Sequence, residues 1–108
     1  MKIKAIINYF GLNTQKKKFL EESGELFEAI TEYQMMCRKL EGKPPAIVNR
    51  EIENYRKHII EESADVIILI SQFLSLLEVD EEELTAFINY KVERTGRRYG
   101  LFRESKNN

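Results

Sequence analysis

The chain has no tryptophan, one cysteine, one histidine and two prolines in 108 residues. Each shortage removes a class of protein. Cys37 has no second cysteine for an intrachain disulfide, so a reducing setting is the default. Cys37 and His58 lack ligand-spaced partners, which argues against a zinc site. No Gly-rich phosphate loop is present, so a P-loop enzyme is excluded on motif grounds. The formal net charge is −1, so no global basic field attracts a nucleic acid polymer. The longest apolar run, Val66 to Ile70, is far too short to span a bilayer. The first ten residues lack the apolar stretch and cleavage site of a signal peptide. The expectation is a cytoplasmic protein with no membrane or nucleic acid partner.

What remains is a chain that is 43% hydrophobic and 32% charged, enough for a core and a charged surface. One domain is expected over 1–102, followed by a polar tail at 103–108. Ile3, Ile6, Ile7 and Phe10 recur at helical spacing, which predicts a short helix over residues 2 to 10. Gly11 ends it, and Asn13 or Thr14 can cap the next helix. That helix is expected to reach about Leu40 on a stripe of Phe19, Leu26, Ile30, Tyr33, Cys37 and Leu40. Gly42, Pro44 and Pro45 mark the main loop. A third helix is expected from near Asn49 to about Leu77, with Ile52, Tyr55, Ile59, Val66, Ile70, Phe73 and Leu77 as its stripe. Asp80 followed by Glu83 predicts a capping box for a fourth helix, which carries Leu84, Phe87, Ile88 and Val92. Gly96 can end or weaken it. The fold expected is all-α, an antiparallel bundle of about four helices. Ile60, Ile67, Ile68 and Leu74 lie off the main stripe of the third helix. A helix apolar on several faces is normally buried on several sides, so a homo-oligomer is expected to complete the bundle.

Two acidic clusters sit inside these helices: Glu21-Glu22-Ser23-Gly24-Glu25 and Glu61-Glu62-Ser63-Ala64-Asp65. At about 100° per residue, Glu22 falls inside the stripe between Phe19 and Leu26, with Glu25 at its margin. Glu62 lies beside Tyr55, Ile59 and Leu69, and Asp65 is one step further round. Glu21, Glu28 and Glu61 point elsewhere. A carboxylate on a core face costs free energy unless a cation neutralises it. Residues three apart are neighbours on a helix surface, so each pair can present two oxygens together. If the two helices run antiparallel, Glu22, Glu25, Glu62 and Asp65 can converge on one divalent ion. An all-oxygen set suits Mg2+, with Mn2+ as a substitute. A di-iron bundle wants Glu-x-x-His, and the residue three before His58 is Tyr55. His58 falls on a polar flank and is expected to be a surface histidine.

Glu21-Glu22-x-x-Glu25 followed by Glu62-x-x-Asp65 resembles the signature of the MazG-like all-α nucleoside triphosphate pyrophosphohydrolase superfamily. Gln15-x-x-Lys18-Phe19-Leu20 is similar to the lead-in before the first motif. Asn89-Tyr90-Lys91-Val92-Glu93-Arg94 is similar to the basic helix after the second. The resemblance covers roughly residues 13 to 98, with an unusually long segment between the motifs, residues 26 to 61. It implies Mg2+-dependent cleavage of an NTP or dNTP between the α- and β-phosphates, giving a nucleoside monophosphate and pyrophosphate. Carried over, Glu22, Glu25, Glu62 and Asp65 would be metal ligands, and Lys91 and Arg94 phosphate contacts. Glu21 also matches the motif. Either Glu21 or Glu25 is a candidate general base, and Glu22 belongs to the same catalytic set.

Lys91, Arg94 and Arg98 share one face if the fourth helix continues through Gly96, and such cations suit a polyphosphate. Lys18 is one turn from Glu22 and within reach of the same site. Lys16, Lys17, Arg97 and Arg103 are expected on the surface, and Tyr99 and Phe102 in ordinary packing. Two other classes stay open: a phosphoribosyl-ATP pyrophosphohydrolase with the same chemistry, and a non-enzymatic helical interaction module whose acids only form salt bridges.

Overall fold

A computed structural model describes residues 2–102 of the chain. The expected tail at 103–108, Arg103 included, lies outside the described residues. All regular structure among the described residues is helical: α1 Lys2–Phe10, α2 Leu12–Lys39, α3 Pro45–Leu76 and α4 Glu81–Arg98. The all-α class follows the periodicity, and no strand is present among the described residues. No described helix is long and apolar enough to cross a membrane. The chain divides after Leu76 into two compact units.

In the first unit α1 packs on both α2 and α3, which pack on each other. Gly11 joins α1 to α2 at φ 88° and ψ 157°, a region essentially reserved for glycine. Its N–H donates to the Ile7 carbonyl at 2.8 Å, and its own carbonyl accepts from the Gln15 N–H at 3.1 Å. The backbone therefore starts α2 at Leu12 without a side-chain cap, and the expected Asn13 or Thr14 cap is not used.

Proline misled the expectation for α3. The helix begins at Pro45, ahead of the expected start near Asn49. A proline at the first helical position gives up no hydrogen bond, because that N–H would be orphaned anyway, and its fixed φ suits the turn. The Ile47 and Val48 N–H groups donate to the Pro44 carbonyl at 3.0 and 3.1 Å.

Three pairings show that α2 and α3 run antiparallel. Gln15 bonds to Gln72, the Phe19 ring meets Phe73 edge-on at 5.7 Å, and Glu22 and Glu25 lie beside Glu62. From Gln15 and Phe19 to Glu22 and Glu25 the chain advances along α2, while the partners move back along α3 from Gln72 and Phe73 to Glu62. The edge-on ring pair contributes roughly 0.5–1.5 kcal/mol beyond its buried area. Among the described residues Ile7, Ala29 and Leu69 are the buried large or aliphatic side chains, and Gln15, Glu22 and Gln72 are buried with them. Ile30 and Ile70 belong to the expected stripes but are exposed, because the seam between two helices is narrower than each apolar stripe. Leu77 lies beyond the end of α3 and is exposed.

The second unit holds α4. Asp80 caps it as expected, its Oδ1 accepting from the Glu83 N–H at 2.7 Å. Glu81, Glu82 and Glu83 occupy the first turn and Arg97 and Arg98 the last, matching the helix dipole. Gly96 does not end the helix. It is buried beneath the Phe102 ring, which a Cβ there would overlap. The Leu101 N–H donates to the Gly96 carbonyl at 2.8 Å and folds the turn back. Leu84 is half-buried, whereas Phe87, Ile88, Val92 and Tyr99 are exposed.

Candidate metal centre

Glu22 is 8% exposed on the face of α2 that meets α3. The helical phase places it there, one turn from Lys18, whose Nζ is 3.4 Å from Glu22 Oε1. The other oxygen, Oε2, is buried without a hydrogen-bond partner. Glu25 follows on the same helix and is exposed. From α3 comes Glu62, half-buried, with its Oε1 3.3 Å from His58 Nε2 and its Oε2 also buried and unpartnered. Glu22, Glu25 and Glu62 each offer one oxygen, and these oxygens all lie within 4.8 Å of one another.

Such crowding has an electrostatic consequence. Burial pushes the Glu22 carboxyl above its ordinary value of 4.5, and the nearby charge of Glu25 adds to the rise. The hydrogen bond from Lys18 opposes it, and the charge of Asp65 pushes it up again. Desolvation and like charge both disfavour the ionised form.

No protein-family model, curated protein or solved structure matches the chain.

Asp65 stands outside the set of three oxygens. It is exposed and lines, with Glu22 and Lys18, an adjoining cavity of about 460 Å³. Glu21, Glu28 and Glu61 are exposed, as their phase implies. Lys16 and Lys17 are exposed. Lys91, Arg94 and Arg98 belong to the second unit and are exposed there, with the Arg94 guanidinium 5.7 Å from the centre of the Tyr90 ring.

Two features escaped the sequence reading. His58 is exposed, as expected, but its Nε2 also lies 3.3 Å from Glu62 Oε1. Its spacing of four residues from Glu62 was the available signal. Gln72 is buried and bonded to Gln15 across the helix seam, and only its place inside an apolar stripe hinted at this.

The donor set fits a hard divalent cation. It is three carboxylates, two of which keep a buried oxygen with no partner. Oxygen ligands of this kind suit Mg2+ or Mn2+, and no soft donor among the described residues joins them. Without a cation the same atoms pay for burial and mutual repulsion.

Proposed function

We propose that this chain is a Mg2+-dependent nucleoside triphosphate pyrophosphohydrolase of MazG-like kind, with Mn2+ as a substitute metal. It would hydrolyse an NTP or dNTP between the α- and β-phosphates to a nucleoside monophosphate and pyrophosphate. One observation carries the reading. Carboxylates from two antiparallel helices gather their oxygens within 4.8 Å, and Glu22 and Glu62 each keep one buried oxygen unpartnered. A fold that spends stability on such a cluster gains it back when a cation binds.

Glu22, Glu25 and Glu62 would hold the ion, with Asp65 as the fourth ligand the motif implies. A bound Mg2+ supplies charge neutralisation for phosphate oxygens and an oriented water. Glu25, exposed at the edge of the cluster, or Glu21 beside Glu22, would take the proton of the attacking water. Lys18 sits against Glu22 and would turn its ammonium to a phosphate once Glu22 is neutralised by metal. Lys91, Arg94 and Arg98 enter as phosphate contacts through the motif resemblance. Leu20, Phe27, Ile60 and Ile67 are exposed at 77, 73, 52 and 60%, which supports a homo-oligomer, a dimer or tetramer, that covers α2 and α3.

The test pairs binding with turnover. Mg2+ should raise the melting temperature, and a panel of NTPs and dNTPs should include substrates that release pyrophosphate. No melting shift together with no pyrophosphate from any member would leave the acids as salt-bridge partners in an interaction module.

A further inference from the structure

The buried polar side chains of the first unit, Gln15, Glu22 and Gln72, all line the same cavity of about 460 Å³. That volume is in the range of small-molecule sites, roughly 300–1,000 Å³. Glu22 belongs to the carboxylate cluster. The two glutamines do not, and they are more deeply buried than it is, at 4% and 2% exposure.

A buried amide is costly unless its donors and acceptors are used. The single bond between them runs from Gln15 Nε2 to Gln72 Oε1 at 2.9 Å. A primary amide has two N–H donors and an oxygen with two acceptor positions. The bond leaves the Gln15 carbonyl oxygen and the Gln72 amide nitrogen for a further partner. A ligand edge with a donor next to an acceptor would use both. Ile6, Phe10 and Leu69 provide apolar wall for the faces of a flat ring, and Glu22 and Asp65 join the cavity to the carboxylate cluster.

We propose that this cavity is a subsite for a planar heterocycle of the nucleobase class, read along one edge by the Gln15–Gln72 amide pair. The proposal rests on the hydrolase reading above and names what that reading leaves open, the base. The pair also sets the breadth of recognition. If both amides turn over together, Gln72 donates to Gln15, and the free donor and acceptor exchange places. A lactam edge, as in uracil or guanine, fits one arrangement. An amidine edge, as in cytosine or adenine, fits the other. The pair therefore separates a base from no base more sharply than one base from another.

The experiment is calorimetric titration of the full chain in Mg2+ with UMP, CMP, AMP, GMP, ribose 5-phosphate and pyrophosphate. The four nucleotides are expected to bind at least tenfold more tightly than ribose 5-phosphate and to lie within tenfold of one another. In Gln15→Leu/Gln72→Leu, where both partners become apolar together and the fold is spared an orphaned amide, the ratio should collapse towards one. Ile68→Trp, at a cavity position that is 42% exposed, should collapse it by filling the space while leaving both glutamines in the sequence. Nucleotides no tighter than ribose 5-phosphate, while pyrophosphate still binds, would overturn the base subsite and leave the hydrolase standing. So would a ratio unchanged in both variants. Absence of Mg2+-dependent pyrophosphate binding would strike the hydrolase reading instead. Metal-free titration with uridine and cytidine against ribose then decides the cavity alone: binding of the nucleosides supports it, and none overturns it.

Discussion

Replacing Glu22 by glutamine keeps the side chain's shape and removes one charge from a crowded site. The ligand oxygens of Glu22, Glu25 and Glu62 lie within 4.8 Å of one another. Two unit charges at about that distance repel by about 3.5 kcal/mol at an effective dielectric constant near 20. Two effects reduce what the substitution releases. Glu25 is exposed and screened by water, and Lys18, 3.4 Å away, attracts Glu22. Lys18 is itself 54% exposed, so that attraction is weak, as for most surface ion pairs. A net relief of about 1–2 kcal/mol remains. In EDTA, then, Glu22→Gln should be more stable than the wild type, by very roughly 4–10 °C in melting temperature. In Mg2+ the order should reverse. Free metal at about a hundred times its Kd stabilises the wild type by about 2.7 kcal/mol, and the variant should gain far less. Melts of both proteins, in EDTA and across a Mg2+ series, read the crossing directly. If the variant is the less stable protein in EDTA, the charge of Glu22 serves the fold through Lys18. The cluster would then hold no strain for a metal ion to relieve.

Three further outcomes follow from single contacts. The folded pKa of Glu22 lies above its unfolded value, so between the two the folded state holds more protons than the unfolded one. Metal-free stability should therefore fall as pH rises from about 4.5 through the folded pKa and stay lower above it; urea melts in EDTA would check this, with Glu22→Gln flattening the slope. His58→Ala should weaken Mg2+ binding roughly 10–100-fold, because the imidazole steadies Glu62, and His58→Gln should recover part of it; isothermal titration measures both. Gly96→Ala should lack the usual helix gain of about 1 kcal/mol, because its methyl group displaces the Phe102 ring. In a Phe102→Ala background the same change should stabilise, and a double-mutant cycle by chemical denaturation reads the coupling.

What could be read from the sequence was local. The bounds of α1 and the Asp80 cap depend on neighbours within one turn, and both stand as expected. The burial of Glu22 also followed from helical phase alone. Pro45 was misjudged because proline breaks helix interiors and starts helices with equal ease, and only the backbone tells which. Gln72 was invisible because its meaning lies in a partner 57 residues away.

The composition of the carboxylate cluster shows the same limit at its sharpest. Glu62 and Asp65 have the same type of group and sit three residues apart, so phase on α3 scarcely separates them. What separates them is register. The Phe19–Phe73 ring contact and the Gln15–Gln72 bond fix how far α3 slides along α2. That register brings Glu62 to Glu22 and Glu25 and leaves Asp65 on the side of the cavity. A slide of one turn would bring a different carboxylate to Glu22. The glutamine pair thus has two roles that support each other: it sets the register that builds the acidic cluster, and it furnishes the cavity beside it. Because the same bond serves both, Gln72→Leu alone should disturb metal binding as well as base binding, whereas Ile68→Trp, which keeps the bond's two partners, should weaken the base more than the metal.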